Sequence, residues 1–333
     1  MKNLTKYKNF IGCDVSKSTL DFAIYAHDTS YRKFEHIQVE NSESGFKKMC
    51  KWLRSFKIKL QDAVIGMEHT GIYSEPLSHW WKDKALAFVF LHPQDVKNSC
   101  CRGRNKTDQV DSQYIADYLY TMREKLEPSE VEPESINKLR QLYNERKLAV
   151  RTRTAYLNQI KTVSIQAVAK RMKRMIAQIN RHIALIEKEI LQLINEDKSL
   201  RTNYELLTSI PGIGMINAVQ TIVATGNFTR FRTARQYAKF CCVSPLSRQS
   251  GSSIYGGDHV IQAGHSEIKS NLTQAARSAI HHDPQLRSYY ERKRNQGKTH
   301  GCVMNAVKFK LICRMFAVIR RQQKYVDTEA YRS

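Results

Sequence analysis

Gly103-Arg104-Asn105-Lys106-Thr107-Asp108-Gln109-Val110-Asp111 leads into Ser112-Gln113-Tyr114-Ile115-Ala116-Asp117-Tyr118, and the whole stretch reads as a helix start. Asp108 and Asp111 are three apart, so on a helix their carboxylates share one face of the first turn. Two such groups can converge on a hard cation. They can equally well complement the positive end of a helix capped at Asn105 or Thr107, and the pair alone does not choose between these uses.

Two carboxylates upstream add to the pair. Asp14 lies in the short apolar run Phe10-Ile11-Gly12-Cys13-Asp14-Val15, which reads as a buried strand. A charge there is costly unless it meets a metal or a partner. Glu68 ends the similar run Ala63-Val64-Ile65-Gly66-Met67 and precedes His69-Thr70-Gly71-Ile72-Tyr73. Each acid alone could sit at the wet end of its strand. Together with the helical pair they make a four-carboxylate set suited to one or two Mg²⁺ ions beside a phosphodiester.

Around these acids the first third of the chain alternates strand and helix patterns. Residues 10–15 and 20–26 read as a hairpin, 31–39 as a third strand, 45–55 as a helix, 63–68 as a strand, 74–84 as a helix and 85–91 as a strand. Three antiparallel strands followed by strand-helix alternation match the ribonuclease-H-like layout, which permits nuclease chemistry without establishing it.

Lys and Arg number 54 against 31 Asp and Glu, a formal charge of +23. A polyanion is the expected partner, and nucleic acid fits better than a membrane because no apolar run approaches the roughly 20 residues of a spanning helix. Met1-Lys2-Asn3-Leu4-Thr5-Lys6 lacks the apolar core of a signal peptide, so a cytoplasmic location is expected. The 8 cysteines include no C-x-x-C pair and read as reduced thiols, with Cys13 facing away from Asp14.

Pro128 and Pro133, flanked by Glu127, Glu130, Glu132 and Glu134, mark an extended linker. A basic helix is expected from Ile136 to about Lys170. A second follows with Ile176, Ile179, Ile183, Ile186, Ile190 and Leu193 at three-four spacing, a coiled-coil seam. That seam suits either a hairpin within the chain or association between subunits, with a slight preference for the latter. Residues 207–218 contain Pro211-Gly212-Ile213-Gly214 and read as helix-hairpin-helix, its turn offering backbone N–H groups to a phosphate or simply joining packed helices. After an apolar helix over 234–243, residues 245–253 read as a polar loop holding Ser247, Arg248, Ser250, Ser252 and Ser253. Tyr289-Tyr290-Glu291-Arg292-Lys293-Arg294 and a basic amphipathic helix over 303–321 interleave aromatic and basic groups in a way that suits nucleic acid.

Five ordered motifs resemble the DEDD transposases of the insertion-sequence-110 family, relatives of the Piv-type DNA invertases. They are Gly12 to Lys17, Glu68 to Tyr73, Asn105 to Asp111, Ser209 to Gly214, and Ser250-Gly251 ahead of Ala263-Gly264-His265. The resemblance implies a RuvC-like catalytic domain over 1–126, linker and coiled-coil helices over 127–200, and a mainly helical transposase domain over 201–333. By it, Asp14, Glu68, Asp108 and Asp111 would bind Mg²⁺ and Ser250 would attack a DNA phosphate to form a covalent link. Nucleic-acid contacts would come from Arg102, Arg104, Lys106, Gly212, Gly214, Arg248, Arg292, Lys293 and Arg294. It also implies a structured bridge RNA pairing with donor and target duplex DNA, assembly as a dimer to tetramer, and association with the nucleoid. Ser112 and Gln262 depart locally from the family pattern, at positions that touch no catalytic group. A hydrolytic metal-dependent nuclease of the junction-resolving kind and a non-catalytic nucleic-acid scaffold are the competing readings. A scaffold for a polyanion gains nothing from clustered negative charge.

Overall fold

The computed structural model describes residues 3–25, 34–68, 73–91, 93–99, 107–244, 246–250, 254–259 and 266–326, with the backbone alone for 93, 94, 98, 246–250, 254–259 and 266. The chain divides into two compact units, Met1–Val131 and Glu132–Ser333.

In the first unit, β1 (Asn9–Val15), β2 (Thr19–Ile24), β3 (Glu35–Glu40), β4 (Ala63–Glu68) and β5 (Ala87–Leu91) form one sheet in the order β3-β2-β1-β4-β5. β1 runs antiparallel to β2 and parallel to β4, and β4 runs parallel to β5. This mixed sheet is compatible with the ribonuclease-H-like layout expected from the sequence. Strand alternation divides the side chains between two faces. Ile11, Cys13, Phe22, Ile65 and Met67 enter a core with Phe46, Met49 and Leu53 of α1 (Glu43–Ser55) and Leu77 and Trp81 of α2 (Glu75–Asp83). Phe10, Val64 and Val89 face the other way. After the short α3 (Pro93–Ser99), α4 (Asp108–Thr121) lies on that face with Ile115, Tyr118 and Leu119.

The seating of α4 depends on a glycine. A Cβ built on Gly12 would lie 2.0 Å from the Ser112 carbonyl oxygen and 2.5 Å from the Ala116 nitrogen, so helix backbone rests directly on β1. Gly66, paired with Gly12 across the parallel strands, is more tolerant, since a Cβ there meets Leu119 and Leu91 side-chain methyls at 3.1 Å.

The second unit is helical apart from a two-stranded hairpin. α5 (Glu134–Gln159) and α6 (Gln166–Glu196) pack along each other as a hairpin within the chain. The basic helix expected to reach about Lys170 ends sooner, because Ile160, Thr162, Val163 and Ile165 crowd β-branched side chains into six residues. Ile183, Ile186 and Ile190 of the expected seam are buried, and the series continues to buried Ile194 while Ile176, Ile179 and Leu193 are half-buried. α7 (Lys198–Thr208), α8 (Met215–Thr225), α9 (Ala234–Phe240), α10 (Ser266–His282), α11 (Pro284–Asn295) and α12 (His300–Arg321) complete the core, which includes Ile210, Ile222, Tyr237, Leu272 and Leu311. The polar loop expected over 245–253 is instead partly a strand. β6 (Leu246–Ser250) pairs with β7 (Ile254–His259), so that Ser250 stands opposite Ile254.

Gly12→Ala should lower the unfolding free energy by about 3 kcal/mol, because backbone has to move away from the new methyl, whereas Gly66→Ala should cost about 1 kcal/mol. Urea unfolding of the two variants checks this, and equal costs would remove the close seating of α4.

Candidate active site

Asp14 is the last but one residue of β1, on the α4 face, and Glu68 ends β4 one step beyond the Cys13–Met67 pair of the same parallel ladder. The two acids therefore leave adjacent strands on one face at their carboxyl ends. Asp108 and Asp111 occupy the first turn of α4, whose cap Thr107 accepts a hydrogen bond from the Val110 N–H at 3.3 Å. Both uses of these aspartates weighed from the sequence are visible, since they lie at a helix N-terminus and also act on Asp14.

Burial pushes the Asp14 carboxyl up to about 6, with further upward influence from Asp108, Asp111 and Glu68 against one opposing hydrogen bond from the Val15 N–H. The acids from two strands and one helix are thus electrostatically one group. No basic side chain among the described residues figures in the influences on Asp14. A divalent cation is the chemical complement of such an all-oxygen set. Among the described residues, no three His, Cys, Asp or Glu side chains converge closely enough to enclose an ion as they are placed. The set is assembled in charge and not closed to ligand distance.

One further acid escaped the sequence reading. Asp21 lies directly opposite Asp14 across the β1–β2 ladder and is 3% exposed. It is held differently, accepting from Gln38 Nε2 at 3.0 Å and lying 2.9 Å from His36 Nε2. The short Ser16-Lys17-Ser18 turn, which fixes the pairing of 14 with 21, was its legible signal. Cys13 is buried in the opposite core, as expected.

In the second unit, α7 and α8 flank the Pro211-Gly212-Ile213-Gly214 turn. Gly212 has φ +89° and a Cβ there would meet the Ala275 oxygen at 2.6 Å, so packing against α10 accounts for this glycine. A Cβ on Gly214 would meet open space, and this residue is the N-cap of α8, with no side-chain hydrogen bond at the cap. Ser250 and Arg248 lie on β6, where only the backbone is described. The start of α10, which follows the hairpin in sequence, is tied to α5 and α8. Tyr143 donates to Glu267 at 3.0 Å, Asn271 donates to Tyr143 at 3.3 Å and to Gln220 at 3.1 Å, and Lys147 pairs with Glu267. Burial first, then Glu267, pushes the Tyr143 phenol up and keeps it neutral.

Arg292, Lys293 and Arg294 occupy the last turn of α11, where they also complement the helix dipole. Arg292 lies over the Tyr289 ring at 5.7 Å. Arg102, Arg104, Lys106, Asn105 and the segments 69–72, 251–253 and 263–265 fall outside the described residues.

A transposase profile of the DEDD and IS110 type matches residues 11–166, which run from β1 to the first residue of α6. A second, described as the transposase IS116/IS110/IS902 family, matches residues 204–291. The chain belongs to the IS110 family of transposases. The pilin gene-inverting protein of Moraxella bovis is 27% identical over 334 residues, covering 96% of this chain and 98% of that protein. The transposase for insertion sequence element IS1111A of Coxiella burnetii is 23% identical over 74% of this chain and 76% of its own length. An IS110 protein of 43.6 kDa from Streptomyces coelicolor is 32% identical, over 47% of this chain and 35% of its own. This IS110-family chain is a DNA recombinase or transposase, an enzyme whose substrate is DNA. DEDD transposases are divalent-metal dependent, in keeping with the acidic set of the first unit. Among the described residues no helix is long and apolar enough to cross a membrane.

The Asp14 carboxyl is raised in the folded protein, so the folded state binds more protons than the unfolded one between about pH 4 and pH 6 and stability falls as pH rises through that window. Above about pH 6 the loss is complete. Asp14→Asn should therefore stabilise the metal-free protein at pH 7 by about 1–2 kcal/mol, after discounting for partial exposure, and have little effect near pH 4. Denaturant titrations at the two pH values measure this, and a destabilised variant at pH 7 would show the carboxylate to be compensated.

Proposed function

We propose that the first unit is a ribonuclease-H-like, RuvC-type catalytic domain in which Asp14, Glu68, Asp108 and Asp111 hold Mg²⁺, and that Ser250 is the nucleophile of DNA strand cleavage. The observation that carries the metal assignment is the placement of Asp14 and Glu68 on one face at the carboxyl ends of adjacent parallel strands, with the Asp14 carboxyl pushed up by burial and by the other three acids. When bound, Mg²⁺ supplies charge neutralisation at the phosphate and lowers the barrier to attack by an oxygen nucleophile.

The residues' own parts follow. Ser250 Oγ forms a bond to phosphorus as one phosphodiester P–O bond breaks. The proton lost from the hydroxyl is balanced by one gained at the released sugar oxygen, and the strand remains held as a phosphoserine ester. Reversal at a different sugar hydroxyl rejoins strands without an external energy source. Ser250 is the last residue of β6 and pairs with Ile254 of β7, a placement that supports the reading. The backbone N–H groups at Gly214 and the basic turn of α11 suit phosphate contacts that position the duplex without reading sequence.

In this reading sequence is read by a structured guide RNA that pairs with donor and target DNA, and the +23 charge accommodates both polyanions. The acids and the serine belong to different units, and assembly as a dimer or tetramer is part of this reading. Leu148, Leu157, Met175, Leu185 and Leu191 of α5 and α6 are exposed apolar groups, which supports association through the helical hairpin.

The test is denaturing electrophoresis of the protein with labelled DNA, co-purified RNA and Mg²⁺. Wild type should give a protein–DNA adduct that maps to Ser250, Ser250→Ala should bind with near-normal affinity and give none, and Ser252→Ala and Ser253→Ala should retain it. Efficient cutting to free ends with no adduct at any time would replace this reading with a hydrolytic nuclease.

A further inference from the structure

The acids of the first unit have a counterpart of opposite sign in the second. Lys308 lies on the buried face of α12, between the core residues Met304 and Val307 on one side and Leu311 and Ile312 on the other, and is 4% exposed. At that position the helical pattern calls for an apolar side chain. Among the described residues its ammonium makes one hydrogen bond, to Thr273 Oγ1 at 3.3 Å, and that hydroxyl in turn donates to the Lys269 carbonyl at 2.8 Å. Burial first and the neighbouring Lys269 second pull the Lys308 amine down to about 8. Among the described residues no carboxylate pairs with it.

A buried ammonium has three donors and loses its hydration, so it is retained at a cost unless an anion meets it. A second lysine beside it adds repulsion. Lysines in a packed core otherwise extend their heads to water, and 4% exposure leaves Lys308 little room to do so. Lys269 and Thr273 stand one turn apart on α10, and Lys269 is half-buried, which gives the group an inner cation, an outer cation and a hydroxyl. Two ammonium groups match an oxyanion as point charges, and the Thr273 hydroxyl, its own proton held by the Lys269 carbonyl, orients the Lys308 ammonium by accepting from it.

We propose that Lys308, Lys269 and Thr273 form a seat for one backbone phosphate of a nucleic acid between α10 and α12. The seat lies outside the two matched segments in its key residue, since the second ends at 291. It needs the chain to act on nucleic acid and does not depend on the serine step or the metal. Either DNA or RNA can supply the phosphate.

The experiment measures affinity of the full-length protein against salt, separately for a duplex DNA and a mixed-sequence RNA. Lys308→Met keeps the length of the side chain and removes its charge. Its thermal midpoint should stay level or rise, while the log–log salt slope falls by about 0.9 for the duplex, or about 0.7 if single-stranded RNA supplies the phosphate. For the duplex, this means about eightfold less affinity lost over a tenfold rise in salt. The nucleic acid whose slope changes identifies the source, and a change in both means that either can occupy the seat. Lys269→Gln, at a half-buried position, should lower the same slope and decides the matter if Lys308→Met does not fold. Unchanged slopes with both nucleic acids in the folded variants overturn the proposal. Adduct formation on the same preparations reads the serine step independently.

Discussion

The contact between Gly12 and the backbone of α4 sets the geometry of the first unit. With hydrogen in place of a side chain, the Ser112 carbonyl and the Ala116 amide sit where a Cβ would otherwise be. Helix and sheet approach at backbone distance, and α4 can then carry its first turn over the carboxyl ends of β1 and β4. The parallel pairing of those strands does the rest, since it aligns Gly12 with Gly66 and brings Asp14 and Glu68 to one end and one face. Four carboxylates become neighbours through main-chain packing, with the hydrophobic faces of the sheet supplying the stability that their repulsion removes.

The second unit solves its packing by related means. Gly212, at positive φ, lets the turn between α7 and α8 lie against the Ala275 and Ala279 backbone of α10. The start of α10 is fixed from the other side by Tyr143, Asn271, Gln220 and Glu267. Such a satisfied polar network holds a helix end in one position more tightly than apolar packing alone. It fixes the helix that follows the Ser250 hairpin in the chain. Lys308 breaks the pattern by being buried beside another cation. Among the described residues the first unit thus gathers like negative charges around Asp14, and the second places two like positive charges at Lys308 and Lys269.

Much of the first unit was legible because its signals are local. Alternating or continuous apolar runs marked β1, β2, β4 and β5, and Asp14 stood out as a charge inside one of them. Thr107 and the Asp108–Asp111 pair announced the start of α4. What bears on the site but was missed depended on pairing. Asp21 acquires meaning only through its register with Asp14 and its ties to His36 and Gln38 from a third strand. The β6–β7 hairpin was hidden because its strands, LSRQS and IYGGDH, are polar and glycine-bearing, with too little apolar patterning to announce a strand. The break before α6 left no glycine or proline to mark it, only a cluster of β-branched residues. Gly212 and Gly214 looked equivalent in sequence, and only α10 lying against the first separates them.

The central claim is that four acids gathered by α4 form one acidic cluster that takes up a divalent cation. Calorimetric titration of Mg²⁺ into the metal-free full-length protein near pH 6, repeated in two buffers of different ionisation enthalpy, tests it most directly. Asp14 is partly protonated there, so the account predicts saturable binding with net release of protons that vanishes in Asp14→Asn and weakens in Asp111→Asn. Binding with no buffer dependence, or no saturable binding at all, would contradict it.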